Sequence, residues 1–225
     1  MTKDTYSAIE SYMLSCMDDA AHDKEHVYRV LFNALEIAAC EPEVDYDILI
    51  TACLLHDIGR ADQLADPSLC HAAVGSEKAY AFLLEQGFPQ LFAQNVKHCI
   101  LSHRFRRNAP PQSLEAKILF DADKLDVTGA IGIARTLEYQ GRLGLPLYTL
   151  LPDGSVSAGE ANGENSFFQE YAFKLEKLYD RFYTQKGAEL AQCRRESAAA
   201  FCQALYTQVS YGYISGKETL KKLLE

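Results

Sequence analysis

From Asp45 to Leu55 the chain is almost continuously apolar, with Ile48, Leu49, Ile50, Ala52, Cys53, Leu54 and Leu55, and the run ends on the adjacent pair His56-Asp57. A helix that is apolar on every side has to be buried, so this stretch predicts a central helix with protein packed around it. A carboxylate left at the end of such a helix is costly to bury unless it is paired or coordinated. The fold must therefore bring other polar groups to meet His56 and Asp57.

The histidines supply candidates. All six (His22, His26, His56, His71, His98, His103) precede residue 104 in a chain of 225, and none follows. Asp57 adds a carboxylate, and so does Asp123, which sits inside Asp121-Ala122-Asp123-Lys124-Leu125-Asp126. Neutral imidazole and carboxylate are the donors that first-row divalent ions accept, and a mixed set leaves positions open for water and substrate. A lone histidine is more often a hydrogen-bonded core residue; the ordered set His26, His56-Asp57, Asp123 is read as a metal centre. His56 and Asp57 would point about 100° apart on a regular helix, so they converge on one ion best at a helix end. His98, five residues before His103, points elsewhere and is expected to be structural or on the surface.

Helical periodicity dominates the remainder. Stripes run from Ser7 to Met17 and from Lys24 to Cys40, with further helices expected at about 71–86, 89–103, 112–126 and 128–140, punctuated by Pro67, Gly87 with Pro89, Pro110-Pro111 and Gly129. His71 opens one of these helices and His103 ends another. Residues 141–165 are rich in Gly and Pro and form a long irregular loop, expected to act as a lid and to hold a short hairpin around Pro152-Asp153-Gly154. Two long helices (about 165–184 and 186–209) and a short one from about 216 are expected to follow. Tyr171, Phe173, Tyr179, Phe182 and Tyr183 are read as core rather than as base-stacking residues. The expectation is one all-α domain over 1–225, a helical bundle with its motif region at about 20–140 and a C-terminal helical extension at about 165–225.

Charge and cysteines narrow the function. A net charge of −9 argues against a nucleic-acid polymer held on a broad basic surface, but not against a small phosphorylated molecule beside a bound cation. Seven cysteines without a C-x-x-C pair and without a preceding signal peptide are expected to be free thiols in the cytoplasm. The longest apolar runs fall short of the roughly 20 residues that a membrane span needs.

The pattern His26, His56-Asp57, Asp123 resembles the H…HD…D signature of the HD-superfamily metal-dependent phosphohydrolases. The likeness extends to a bacterial subgroup with an HDxxH start (His22 to His26, then Arg29-Val30), HDIGR (His56 to Arg60), HRFR (His103 to Arg106) and DADKLDxxGAIGIAR (Asp121 to Arg135). The resemblance implies an all-α HD-domain bundle. It implies a divalent ion (manganese, iron, cobalt, nickel, magnesium or zinc) on His26, His56, Asp57 and Asp123, with one ion favoured over two. His71 and His103 are candidates for a second ion, for the scissile phosphate, or, for His103, for the general acid. Asp121, Asp126 and His22 are candidates to orient a ligand. Arg60, Lys124, Arg135 and Arg106 are the candidate phosphate contacts, and Asp57, His103 and Arg60 the candidate catalytic residues. Arg60 stands where nucleotidases of deoxynucleoside monophosphates carry an acidic residue, which argues against that activity. The implied reaction is hydrolysis of a phosphate ester or anhydride of a nucleotide or similar metabolite through a metal-activated water. The alternatives are a cyclic or linear dinucleotide phosphodiesterase, an HD-fold di-iron oxygenase, and a metal-dependent binding module without turnover. Oligomeric state is left open, with a homodimer as the working assumption.

Overall fold

In the computed structural model, residues 1–17, 24–104, 110–159 and 165–225 are described. The all-α expectation holds: among these residues no β-strand forms, and an isolated antiparallel bridge joins Leu150 to Val156. No helix among them is long and apolar enough to cross a membrane. The chain divides into two compact units, one of Met1–Asp126 with Phe182–Gly187, the other of Val127–Arg181 with Ala188–Glu225.

The first unit holds α1 (Lys3–Ser15), α2 (Lys24–Ala38), α3 (Tyr46–Leu55), α4 (Arg60–Ala65), α5 (His71–Glu85), α6 (Gln90–Ser102) and α7 (Leu114–Leu125). As the apolar run requires, α3 is the central helix: Leu49, Ala52, Cys53, Leu54 and Leu55 are fully buried, and α1, α2, α5, α6 and α7 pack around it. Its start is fixed by Asp45, whose carboxylate accepts from the Asp47 and Ile48 amides. Each fully buried leucine or isoleucine contributes about 1.5–3 kcal/mol relative to exposure. The α5–α6 hairpin turns where its sequence says it should. Gly87 adopts φ +80, its N–H bonds the Leu84 carbonyl, and the Phe88 N–H reaches back to Leu83 at 3.0 Å, the double closure that needs a left-handed residue.

The second unit holds α8 (Gly129–Arg142), α9 (Phe167–Phe173), a 3₁₀ turn (Leu175–Lys177) and most of α10 (Gln185–Leu224). Its core is Ile133, Val156, Phe167, Phe168, Ala198 and Cys202. The expected hairpin is present: the Leu151 amide bonds the Ser155 carbonyl at 2.8 Å and the Ser157 amide bonds Thr149 at 2.9 Å. Val156 at its base is part of the core, so this stretch of the 141–165 loop is anchored.

Two helix boundaries differ from the sequence reading. The helix expected at 165–184 stops at Phe173, because Lys174 (φ −125, ψ −60) leaves helical geometry and only a 3₁₀ turn follows. The two helices expected after it are one helix of 40 residues. Gly212 and Gly216 lie inside it, and an isolated glycine costs a helix only about 1 kcal/mol against alanine. The aromatic residues expected as core are mixed: Tyr179 is buried, whereas Phe173 and Tyr183 are exposed.

Candidate metal centre

Six side chains of the first unit meet at the inner ends of its helices. His26 comes from α2, His56 is the residue capping the C-terminus of α3, and Asp57 follows it. His71 is the first residue of α5, His103 caps α6, and Asp123 lies near the end of α7. Gly59 makes this convergence possible through its small size rather than its backbone freedom. A Cβ there would sit 2.3 Å from the His71 carbonyl oxygen and 2.7 Å from the Gly75 amide, so only glycine lets the turn after Asp57 pack on the start of α5.

Hydrogen bonds at the outer nitrogens fix what the inner nitrogens present. His56 Nδ1 lies 2.7 Å from the Cys53 carbonyl, and His26 Nδ1 lies 2.7 Å from Asp126 Oδ2. A carbonyl and an ion-paired carboxylate accept and do not donate, so both Nδ1 atoms carry their protons and both Nε2 atoms are bare lone pairs in the neutral rings. Those two Nε2 atoms face each other at 3.4 Å. Asp123 Oδ1 is 3.3 Å from His26 Nε2, and Asp57 Oδ2 is 3.6 Å from His26 Nε2 and 3.7 Å from His56 Nε2. Donors about 2.1 Å from a common ion stand roughly 3.0–3.4 Å apart, so these four need draw in by only a few tenths of an ångström. Two imidazole nitrogens and two carboxylates aimed at one point could hold a cation, and the residues present fit a divalent one.

A second group adjoins the first through the same carboxylate. Asp57 Oδ1 is 3.4 Å from His71 Nε2 and 3.7 Å from His103 Nε2, and the two Nε2 atoms are 3.3 Å apart. The outer nitrogens again have partners, Gln63 Oε1 at 2.6 Å for His71 and the Ile100 carbonyl at 2.6 Å for His103. His26, His56 and Asp123 form one set spaced to hold an ion, and Asp57, His71 and His103 another.

The field differs between the two groups. Burial pushes the His26 imidazole down, but its hydrogen bonds to Asp123 and Asp126 outweigh this, and its pKa stands at about 9. Burial, then Arg60, His103 and Arg104, lowers His71 to about 3 despite Asp57, and burial with His56 lowers His103 to about 4. Burial raises Asp57 and Asp123, yet the surrounding histidines, and Arg60 in the case of Asp57, hold both below the usual carboxylate range.

The remaining candidates are distributed as follows. Asp126 is buried, and besides His26 it binds Arg29 through Nε at 2.7 Å and Nη2 at 3.1 Å. Asp121 engages the returning segment instead: its carboxylate accepts from the Tyr183 and Thr184 amides and from the Thr184 hydroxyl. Arg60 is 42% exposed and its Nε donates to Asp57 Oδ1 at 3.0 Å. Lys124 is buried with Nζ 4.2 Å over the Phe120 ring. Arg135 belongs to the second unit. His98 is bonded to Gln94 on the exposed side of α6. His22 and Arg106 lie outside the described residues.

Sequence reasoning did not single out Arg29 or Gln63 as parts of the site. Spacing carried a signal for the first: Arg29 follows His26 by three on α2 and Asp126 follows Asp123 by three on α7, so each helix presents a candidate ligand and its support one turn apart. Nothing comparable in the sequence marks Gln63.

Residues 24–128 match the HD domain family. The chain is 30% identical over 203 residues to the uncharacterised protein YpgQ of Bacillus subtilis (strain 168), covering 88% of this chain and 90% of that one. The crystal structure of YpgQ in complex with ADP superimposes with a TM-score of 0.70 at 28% identity, over 91% of this chain and 97% of the other. A predicted HD superfamily hydrolase from an uncultured Thermotogales bacterium gives a TM-score of 0.61 at 30% identity, over 90% and 91% of the two chains. With the histidine and aspartate groups already in place, this chain belongs to the HD superfamily and is a metal-dependent hydrolase.

Proposed function

We propose that the protein hydrolyses a phosphate ester or anhydride of a nucleotide or similar small phosphorylated metabolite, using one divalent ion held by His26, His56, Asp57 and Asp123. The observation that carries this reading is the pair of Nε2 atoms at 3.4 Å, both facing carboxylates and both left as the ligating nitrogen by the outer partners of the neutral rings. When bound, a divalent ion supplies there a water of lowered pKa and neutralises charge developing on phosphoryl oxygens. Asp57 shares in holding the ion through Oδ2 and orients the attacking water. Arg60, exposed beside Asp57, offers its remaining guanidinium N–H groups to a phosphoryl oxygen, the kind of preorganised donor from which much of the acceleration comes. His103, its Nδ1–H held by the Ile100 carbonyl, presents an unprotonated Nε2 that can accept a proton at the site. Lys124 is proposed as a further phosphate contact on the strength of the sequence motif. Nucleotide as the substrate class is supported by the complex of YpgQ with ADP.

The test is release of phosphate and of pyrophosphate from a panel of nucleoside mono-, di- and triphosphates, with manganese added to protein purified without chelator. Release from one nucleotide class is expected. Protein that holds manganese and releases nothing across the panel overturns the nucleotide reading.

A further inference from the structure

The two histidine pairs are spaced alike and share Asp57, yet their outer partners differ in one chemical respect. Cys53 O, Asp126 and Ile100 O can only accept a hydrogen bond. Gln63, the partner of His71, carries an amide: its Oε1 faces His71 Nδ1 at 2.6 Å, and rotation of the end group would put an NH₂ there instead. With the NH₂ turned inward, Gln63 donates to His71 Nδ1, His71 Nε2–H donates to His103 Nε2, and His103 Nδ1–H donates to Ile100. Every atom of that chain is satisfied with both rings neutral. The His26–His56 pair has no such arrangement, because both of its outer partners demand the proton.

The shared carboxylate differs in the same sense. Asp57 Oδ2 faces His26 and His56. Asp57 Oδ1, the oxygen facing His71 and His103, already accepts from the Arg60 guanidinium at 3.0 Å. Arg104 lies on the same side, its Nη1 3.7 Å from Cys70 Sγ, immediately before His71. The first group is backed by the carboxylates of Asp123 and Asp126, the second by two arginines and a neutral amide.

We propose that Arg60 and Gln63 set the metal number of this site: Arg60 takes the place of a second cation on Asp57, Gln63 lets the His71–His103 pair close on itself, and the wild-type chain holds one ion. The inference rests on the one-ion reading above and deepens it. It assigns to Gln63 a positioning role, and to Arg60 a role besides phosphate binding.

Manganese alone is the probe. Wild type, Arg60→Gln, and the double variant Arg60→Gln with Gln63→Glu are each loaded, desalted and assayed for metal per chain, and their spectra recorded by electron paramagnetic resonance. Glutamate at position 63 can only accept, which fixes the proton on His71 Nδ1 and bares Nε2; a carboxylate behind a ligating histidine changes metal affinity by about 10–100-fold. One ion in the wild type and two in the double variant, with an exchange-coupled two-manganese signal, is the expected result. Two ions in the wild type overturn the proposal, and so does one ion in a double variant that keeps its helical circular dichroism. A wild type that binds none overturns the reading beneath it as well. Should the double variant fail to fold, Arg60→Gln decides, its exposed side chain making it a mild change: a second, weaker binding phase supports the proposal, and a single phase identical to wild type overturns it.

Discussion

The two compact units solve burial in opposite ways. The first encloses His26, His56, Asp57, His71, His103, Asp121 and Asp126, all buried, among the helices around α3. The second packs Ile133, Val156, Phe167, Phe168, Ala198 and Cys202, and its buried polar residues among those described are the uncharged Thr128, Gln140, Ser157 and Ser166. An apolar core is complete as soon as it is packed. A core of imidazoles and carboxylates is complete only when a cation balances it. The first unit is therefore expected to respond to metal and the second to packing, and this contrast can be broken experimentally.

Removing the shared carboxylate should have the largest effect. Asp57 stands between both histidine pairs, 3.4 to 3.7 Å from each of the four Nε2 atoms. Asp57→Ala is expected to lose bound manganese and to drop hydrolysis to background while the helical content persists. Full activity in that variant would sink the proposed site. Next comes Phe167→Ala. Phe167 is fully buried, and truncations of this kind cost about 3–5 kcal/mol. Denaturant unfolding should register that loss with manganese content unchanged; loss of the ion would erase the distinction between the units.

Asp126→Asn sharpens the comparison from the other side. Its carboxylate links the bidentate Arg29 to His26 Nδ1, so the amide loses the charge that holds both. Manganese affinity is expected to fall about 10–100-fold, as for other groups that orient a ligating histidine. Excess metal should restore activity. Unaltered affinity by calorimetry would mean that the Nδ1 contact does not set the strength of this ligand.

How legible each unit was follows from the same contrast. The central helix and the ends that deliver His56, His71 and His103 could be read in advance, because an ionisable residue beside a long apolar run is costly and so informative. The Gly87 turn was readable for a similar reason, since its φ of +80 excludes most other residues. The second unit offered weaker marks. The break expected between about 209 and 216 is absent, because a 40-residue helix absorbs the small penalties of Gly212 and Gly216. Lys174 ends α9 with nothing in its local chemistry to announce it. Within the site, the candidate ligands could be named from residue type and order, whereas the bond from Gln63 to His71 depends on how α4 meets α5. Asp121 illustrates the limit. It was a candidate for orienting a ligand, and its bonds go to Tyr183 and Thr184, 62 and 63 residues away, a pairing that no local pattern encodes.

The smallest expected effect comes from two serine caps, one in each unit, that make the same bond. Ser113 Oγ accepts from the Ala116 amide at 3.1 Å and starts α7, which carries Asp123 and Asp126. Ser166 Oγ accepts from the Gln169 amide at 3.2 Å and starts α9. Alanine at an N-cap costs about 0.5–2 kcal/mol. Both bonds are partly buried, so Ser113→Ala and Ser166→Ala are each expected within that range, read as shifts in denaturant midpoint at constant slope. Manganese should narrow the loss for Ser113→Ala alone, because an ion held partly by α7 pins the helix whose start has been loosened. Equal rescue of both variants by manganese would show that the two units respond to the ion together.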